Sequence, residues 1–468
     1  MIEMLHHKIF KVVAAVAAES GIKAYVVGGY VRDIFLKRFS KDVDFTVIGD
    51  GIEFAKLVAL KLGESKNVTI FKNFGTAMIK SDEWDIEFVG ARKESYQSDS
   101  RKPNITRGSF EDDLSRRDFT INAMALSMNE SDYGQLVDVY QGMEDLEAGV
   151  LKTPLEPGIT FSDDPLRMMR AIRFCSQLNF TLHADTLQGI KDHAHRIEIV
   201  SMERISEELN KIILSPKPSI GFGLLWDTGL LQIVFPEMAL LHGVDTINGL
   251  SHKDNFYHTI QVLDNLCKES NDIWLRWAAI LHDIAKPQTK RFVEGEGWTF
   301  HGHEDRGSRM VKGIFKRLRL PLNEKMKFVE KMVLLHLRPI VLSQEIVTDS
   351  AVRRLIFDAG EDVFELLKLC RADITTKNEF KVKKFLNNLK VVEDKIRDVE
   401  ERDRVRNWQP PVDGTEIMNL FGLSAGKEIG ILKNALREAI LDGEIKNDYN
   451  EAVRYITLKG QSIGLKPV

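Results

Sequence analysis

Apolar and polar positions change rhythm several times along this chain. Ile2, Leu5, Ile9, Val12 and Val16 recur at helical spacing, which predicts an amphipathic helix packed on a sheet rather than a signal peptide. Up to about residue 150 short β-like runs then alternate with helical ones. AYVVGGYV, DVDFTVI, GTAMIK and WDIEFVG read as strands, and GIEFAKLVALKLG as a helix between two of them. The stretch RKESYQSDSRKPNITRGSFEDD has no apolar period and reads as a mobile loop. Beyond it the pattern turns helical almost to the end. The expected architecture is therefore a multidomain α/β head on a small mixed sheet, followed by an all-α body. The boundaries fall at 1–150 for the head, 151–245 for a helical neck, 246–375 for a second helical block and 376–468 for a helical tail.

The chain has 468 residues, enough for several cores, and its formal net charge of -4 gives no overall cationic signature. A nucleic-acid partner would have to be held by local patches. Three cysteines, Cys175, Cys267 and Cys370, are far apart with no CxxC pair, which predicts a reducing, cytoplasmic setting. No apolar run reaches membrane-spanning length.

The strand KDVDFTVI carries the first candidate chemistry. Asp42 and Asp44 share a parity, with Val43, Phe45 and Val47 on the other, so both carboxylates project from one face. Two such acids repel, and a divalent cation resolves the conflict; Mg²⁺ prefers one or two carboxylates plus phosphate oxygens. Upstream, Gly28 and Gly29 separate an apolar strand from a helix holding Arg32, an arrangement that lets backbone N–H groups approach a phosphate. A third acid should come from WDIEFVG, where Asp85 and Glu87 again share a parity; Glu87 is preferred and Asp85 stays open.

In order, GGYVRD, KDVDFTV, FGTA, DLSRRDFTINAMA, LVDVYQGMEDL, FSDDPLRMMRAIRF and ERISEEL cover roughly residues 20–210. Together they resemble the class II tRNA nucleotidyltransferases and their poly(A) polymerase relatives, which carry a polymerase β-type nucleotidyltransferase head. The resemblance implies that Asp42 and Asp44 bind catalytic Mg²⁺ and that Gly28, Gly29 and Arg32 hold a triphosphate. It implies nucleotide contacts for Arg116, Arg117, Asp118, Asn122, Arg170 and Arg173, and base recognition by Asp164 and Arg167. The chemistry of the last pair agrees: Asp only accepts and Arg only donates, which suits the Watson–Crick edges of C and A and mismatches U and G. The family places Glu where this chain has Asp163, a shorter side chain.

The second block orders its ligand types as His258, His282–Asp283, His303, His336 and Asp373. Imidazole and carboxylate suit divalent transition metals. This order resembles the HD phosphohydrolase superfamily, which implies a site for a divalent transition metal or Mg²⁺ and phosphoester hydrolysis, with 2′,3′-cyclic phosphodiesterase, 2′-nucleotidase or phosphatase activity as the family's range. Lys377, Lys381, Lys383, Lys384 and Lys390, and separately Lys312, Lys316, Arg317 and Arg319, form basic clusters fit for RNA phosphates.

The expected function is template-independent addition of C, C and A to a tRNA 3′ end from CTP and ATP. The loop at 93–112 favours complete CCA addition, because CC-only relatives have it shortened. The competing expectations are a poly(A) polymerase or A-only enzyme on the same head, and a hydrolase whose head only binds RNA.

Overall fold

A computed structural model describes residues 5, 7–64, 67–72, 75–80, 84–95, 104–343, 347–403 and 409–468. The chain divides into two compact units, Met1–Ala239 and Leu240–Val468.

In the first unit, strands β1 (Ala24–Val27), β2 (Asp42–Val47), β3 (Val68–Phe71), β4 (Thr76–Lys80) and β5 (Asp85–Gly90) precede a separate ribbon of β6 (Arg92–Ser95) and β7 (Asn104–Arg107). Strands β8 (Ala125–Ser127) and β9 (Leu136–Val137) complete a seven-stranded sheet in the order β3-β4-β5-β2-β1-β8-β9. Only β2 and β5 pair in parallel within it; its other ladders are antiparallel, so the sheet is mixed. The crossover between β2 and β5 contains α3 (Gly51–Leu62), capped at its start by Asp50, which accepts from the N–H groups of Ile52 and Glu53.

Alternation along β2 sorts its side chains. Val43, Phe45 and Val47 are fully buried, and Phe45 stacks on Phe88 of β5 with centroids 5.0 Å apart. Phe10 of α1 (Lys8–Ser20) lies 6.0 Å from Phe45, and Phe54 of α3 lies 5.8 Å from Phe88, so both helices cover this apolar face. Asp42 and Asp44 project from the other. Helix α1 buries Ile9, Phe10, Val13, Val16 and Ala17. Val12, expected on the inner stripe, is only partly buried, because Phe10 and Val13 centre the stripe one position away. The polar stretch after β5 also departs from expectation. Its ends pair as β6 and β7, and FEDD opens α4 (Phe110–Ser115) through a capping box between Ser109 and Asp112. Residues 96–103 of the expected loop lie outside the described residues.

The rest of this unit is mainly helical. It includes α5 (Gly142–Ala148), α6 (Pro157–Asp163), α7 (Leu166–Leu178), α8 (Ala184–His193) and α9 (Met202–Ile213). The second unit is built from helices and two short ribbons, 246–251 and 291–299. Its last helices form their own core around Ile417, Leu432, Leu436 and Ile456. Among the described residues, no helix is long and apolar enough to cross a membrane.

Candidate active sites

The β2–β5 register sets Asp44 opposite Glu87 and Asp42 opposite Asp85. Burial raises the Asp44 carboxyl, Arg117 opposes that shift, and the charges of Asp42 and Asp113 add to it. Burial likewise raises Glu87, followed by the charge of Asp44. The structure thus couples Glu87 directly to the acidic pair. The Asp85 carboxylate lies on the same side, opposite the more exposed Asp42.

Gly28 adopts φ 77°, a conformation only glycine takes freely. Space enforces it as well: a Cβ there would sit 2.7 Å from Arg117 Nη1 and 3.7 Å from Asp44 Oδ2. Gly28, Asp44 and the Arg117 guanidinium therefore meet at one point. Gly29 begins α2 (Gly29–Phe35), on whose buried side Arg32 reaches back. Arg32 donates from Nη1 to Asn122 Oδ1 at 2.8 Å and from Nε and Nη2 to Asp33, each at 3.0 Å. Much of its fork is therefore engaged by the protein itself.

Asp118 is nearly buried and its acceptors are filled. Oδ1 accepts from Phe119 N and from Asn122 Nδ2, both at 2.9 Å; Oδ2 accepts from Arg170 Nε at 2.8 Å and Nη2 at 2.6 Å. Burial opposes its ionisation, but Arg170 and Asn122 hold it well below the usual carboxylate range. Its engagement is with other site residues, and the buried Asn122 links it to Arg32. Arg173 lies 2.9 Å from the buried Glu208, and burial pushes it down to about 10 despite that partner. The guanidiniums of Arg32, Arg170 and Arg173 lie 5.0, 5.6 and 4.2 Å from the Phe174 ring centroid, so one aromatic ring gathers three cations.

Asp164 and Arg167 sit at the turn between α6 and α7, and each is anchored separately. Asp164 Oδ1 accepts from Leu166 N at 3.2 Å, and Oδ2 lies 3.8 Å from Arg204. Arg167 Nη2 donates to the Arg116 carbonyl at 2.5 Å and Nη1 to the Thr160 carbonyl at 3.5 Å. Asp163 ends α6.

Sequence reasoning passed over Asp113, Phe174 and Glu208. Asp113 had a legible signal: it lies three and four residues before Arg116 and Arg117, one helical turn away. Phe174 had none, because a buried aromatic on a helix reads as core.

In the second unit the six expected ligand types converge. His258 belongs to helix Asn255–Leu266, His282 caps Ile273–Leu281, His303 opens His303–Arg317, His336 caps Glu324–Leu335 and Asp373 caps Val363–Ala372. Three rings are pinned alike by a carbonyl three residues back. Nδ1 of His282, His303 and His336 donates to Ala279, Phe300 and Val333 at 2.7, 2.8 and 2.7 Å. That fixes the tautomer with the Nε2 lone pair facing inward. His282 Nε2 lies 3.2 Å from Asp283 Oδ2, and His303 Nε2 lies 3.2 Å from Asp283 Oδ1. His258 Nε2 lies 2.9 Å from Asp373 Oδ1 and 3.5 Å from Asp283 Oδ2, and its Nδ1 bonds Thr375 Oγ1 at 2.9 Å.

Two metal-competent triplets result: His258, His282 and Asp283, and Asp283, His303 and His336, with ligand atoms in each within 4.8 Å of one another. Asp283 belongs to both. His282 Nε2 is buried with no hydrogen-bond partner, and His336 is pushed down to about 4 by burial and then by His282. Imidazoles with Nε2 turned inward around a shared carboxylate are a donor set that fits a divalent transition metal. His301 stays outside this cluster, exposed and 3.8 Å from Glu296. Elsewhere, Lys377, Lys381, Lys383, Lys384 and Lys390 are exposed on or just before helix Glu379–Asp403, as are Lys312, Lys316 and Arg319 at the end of His303–Arg317; Arg317 is partly buried.

Three family descriptions match the chain. They are the poly A polymerase head domain over residues 24–152, the probable RNA and SrmB-binding site of polymerase A over 179–241, and the HD domain over 255–376. An A-adding tRNA nucleotidyltransferase of Deinococcus radiodurans is 31% identical across 90% of this chain and 92% of its own. A CCA-adding enzyme of Streptococcus gordonii is 28% identical across 94% of each. A crystal structure of the Bacillus stearothermophilus CCA-adding enzyme in complex with CTP shares the fold, at TM-score 0.68 and 22% identity over 98% of this chain and 99% of that one. The head, the RNA-binding region, the HD domain and a similarity running almost end to end all agree: the chain belongs to the tRNA nucleotidyltransferase family built on the poly A polymerase head.

Proposed function

We propose that the head adds C, C and A to the 3′ end of tRNA from CTP and ATP, releasing pyrophosphate. The observation that carries this reading is the meeting of Asp44, Glu87, Gly28 and Arg117 beside the central strands of the sheet. Asp42 and Asp44 would hold Mg²⁺, with Glu87 behind them; a carboxyl raised by burial and by like charge is relieved when a cation arrives. Bound there, Mg²⁺ would acidify the attacking 3′-hydroxyl and offset charge on the phosphates. The glycine turn would present backbone N–H groups to the triphosphate, and Arg117, whose buried Nε has no hydrogen-bond partner, would donate to it. Asn122, Arg170 and Arg173 would face ribose and phosphate, held by Asp118, Glu208 and Phe174. Asp164 and Arg167 would read the base, each kept by its backbone anchor from collapsing into a mutual ion pair. The exposed lysines of the second unit would hold the acceptor stem.

In the HD domain, His258, His282, Asp283, His303, His336 and Asp373 would hold divalent metal for phosphoester hydrolysis, with Asp283 shared between two ligand sets. A second reading, addition of A alone, is favoured by the Deinococcus radiodurans relative. Purified protein, tRNA ending before its CCA, and labelled CTP and ATP decide between them once products are resolved by length. Growth by three nucleotides with both triphosphates supports CCA addition. Extension only of tRNA already ending in CC, with CTP unused, supports A addition. No extension of either substrate overturns the head reading.

A further inference from the structure

We infer that Asp113 is a positioning residue of the nucleotidyl-transfer site: it holds Arg117 off the acidic pair and so keeps that pair available to a divalent cation. The inference rests on the reading of the head given above.

Asp113 is fully buried on α4; burial opposes its charge, but Arg117 and Arg116 hold its carboxyl below the usual carboxylate range. Burial of a carboxylate is costly unless cations and donors surround it. Here Thr46 Oγ1 donates to Oδ2 at 3.0 Å, Arg116 donates to Oδ1 from Nε at 3.0 Å and from Nη2 at 2.6 Å, and Arg117 Nη2 donates to Oδ2 at 3.3 Å. Thr46 follows Asp44 by two residues on β2, so it shares the face of the acidic pair. Asp113 therefore ties the strand bearing the acids to both arginines of the RRD turn. The Arg116 carbonyl in turn accepts from Arg167, so the same carboxylate steadies the anchor of the proposed base reader.

Arg117 is the pivotal partner. Its Nη2 is held by Asp113, while its Nη1 lies over Gly28 close to Asp44. Of the two anions, Asp113 is the one that makes the hydrogen bond. Remove its charge, and Asp44 and Glu87 become the nearest unneutralised carboxylates for both guanidiniums. An arginine paired with Asp44 competes with a divalent ion for the same oxygens. Losing the anion at 113 also weakens the field that draws cations to the pair, so both effects act in one direction.

The test uses full-length protein carrying Asp283→Ala, which removes the shared ligand of the second metal cluster. Mn²⁺ binding is followed by electron paramagnetic resonance without turnover, and KM and kcat for ATP are measured at saturating Mg²⁺. Asp113→Asn should weaken the Mn²⁺ site that Asp44→Asn abolishes by roughly tenfold. KM for ATP should rise more than kcat falls. Adding Arg117→Gln should remove most of the Mn²⁺ defect, because the competitor is gone. Unchanged Mn²⁺ affinity in folded Asp113→Asn, or a defect that persists fully with Arg117→Gln, overturns the inference. If Asp113→Asn does not fold, Asp113→Glu, which keeps the charge but displaces Arg117, must still weaken Mn²⁺ binding; an unchanged site there overturns it too. Absence of any Mn²⁺ site sensitive to Asp44→Asn defeats the metal reading of the head, and this inference with it.

Discussion

Asp44 and Glu87 face each other across the parallel β2–β5 ladder, and the charge of Asp44 is among the causes that raise Glu87. Two acids so placed, with Asp42 beside them, cost stability in the free chain and suit a cation. Asp44→Asn should abolish tRNA extension, a loss of about three orders of magnitude or more in kcat. The melting temperature should hold or rise, since a desolvated charge is removed. Extension assays and calorimetry on the same preparation check both halves. Glu87→Gln should impair extension more than Asp85→Asn, because Glu87 is opposite the more buried member of the pair.

Gly28 leaves no room for a side chain. Gly28→Ala must accommodate φ 77° and a methyl group 2.7 Å from Arg117 Nη1. Destabilisation of about 1–2 kcal/mol is expected from the backbone alone. Displacement of Arg117 should also raise KM for ATP by roughly tenfold, a loss of about 1.4 kcal/mol of binding. Denaturant titration and steady-state kinetics measure the two effects separately.

Asp118 gives a pH signature. Its folded pKa is depressed, so its contribution is present above the unfolded carboxylate value and is lost as pH falls toward the folded one. Asp118→Asn should cost about 2 kcal/mol at pH 7, the scale of a hydrogen bond to a charged group. The gap between variant and parent should narrow below about pH 4, where the unfolded chain begins to take up the proton. Melting curves from pH 7 to pH 3 follow it.

The shared position of Asp283 predicts metal stoichiometry. Asp283→Asn should strip the HD cluster of all bound transition metal and end phosphoester hydrolysis. His303→Ala should reduce metal content but leave the His258, His282 and Asp283 set able to bind. Elemental analysis after dialysis against a weak chelator counts the ions. tRNA extension should persist in both variants.

Separate anchoring of Asp164 and Arg167 predicts a change in selectivity rather than a general loss. Asp164→Asn replaces an obligate acceptor with a group that can also donate, so incorporation of UTP should rise relative to CTP by about tenfold. Competition between labelled UTP and CTP on one tRNA reads the ratio directly.

Much of the head could be read along the chain because its signals are local. The parity of Asp42 and Asp44 follows from strand alternation, and the glycine pair marks a strand-to-helix turn whatever surrounds it. The order of histidines and aspartates likewise announced a metal-competent cluster. Less was legible where neighbours decide. Polar residues flanking 96–103 looked unstructured, yet their backbones pair with each other. Arg32 looked like a free fork for phosphate, yet Asp33 and Asn122 take much of it. Phe174 carried no signal of its own, yet three guanidiniums gather around it.

The sequence alone determined which residue types were present, their parity on each strand and their order along the chain, because these depend on periods of two and about 3.6 residues. Only the tertiary structure decided which acid stands opposite Asp44, which carboxylate restrains Arg117 and which aspartate lies in both histidine sets. Those are distances between segments tens of residues apart, set by sheet register and helix packing, and no local period encodes them.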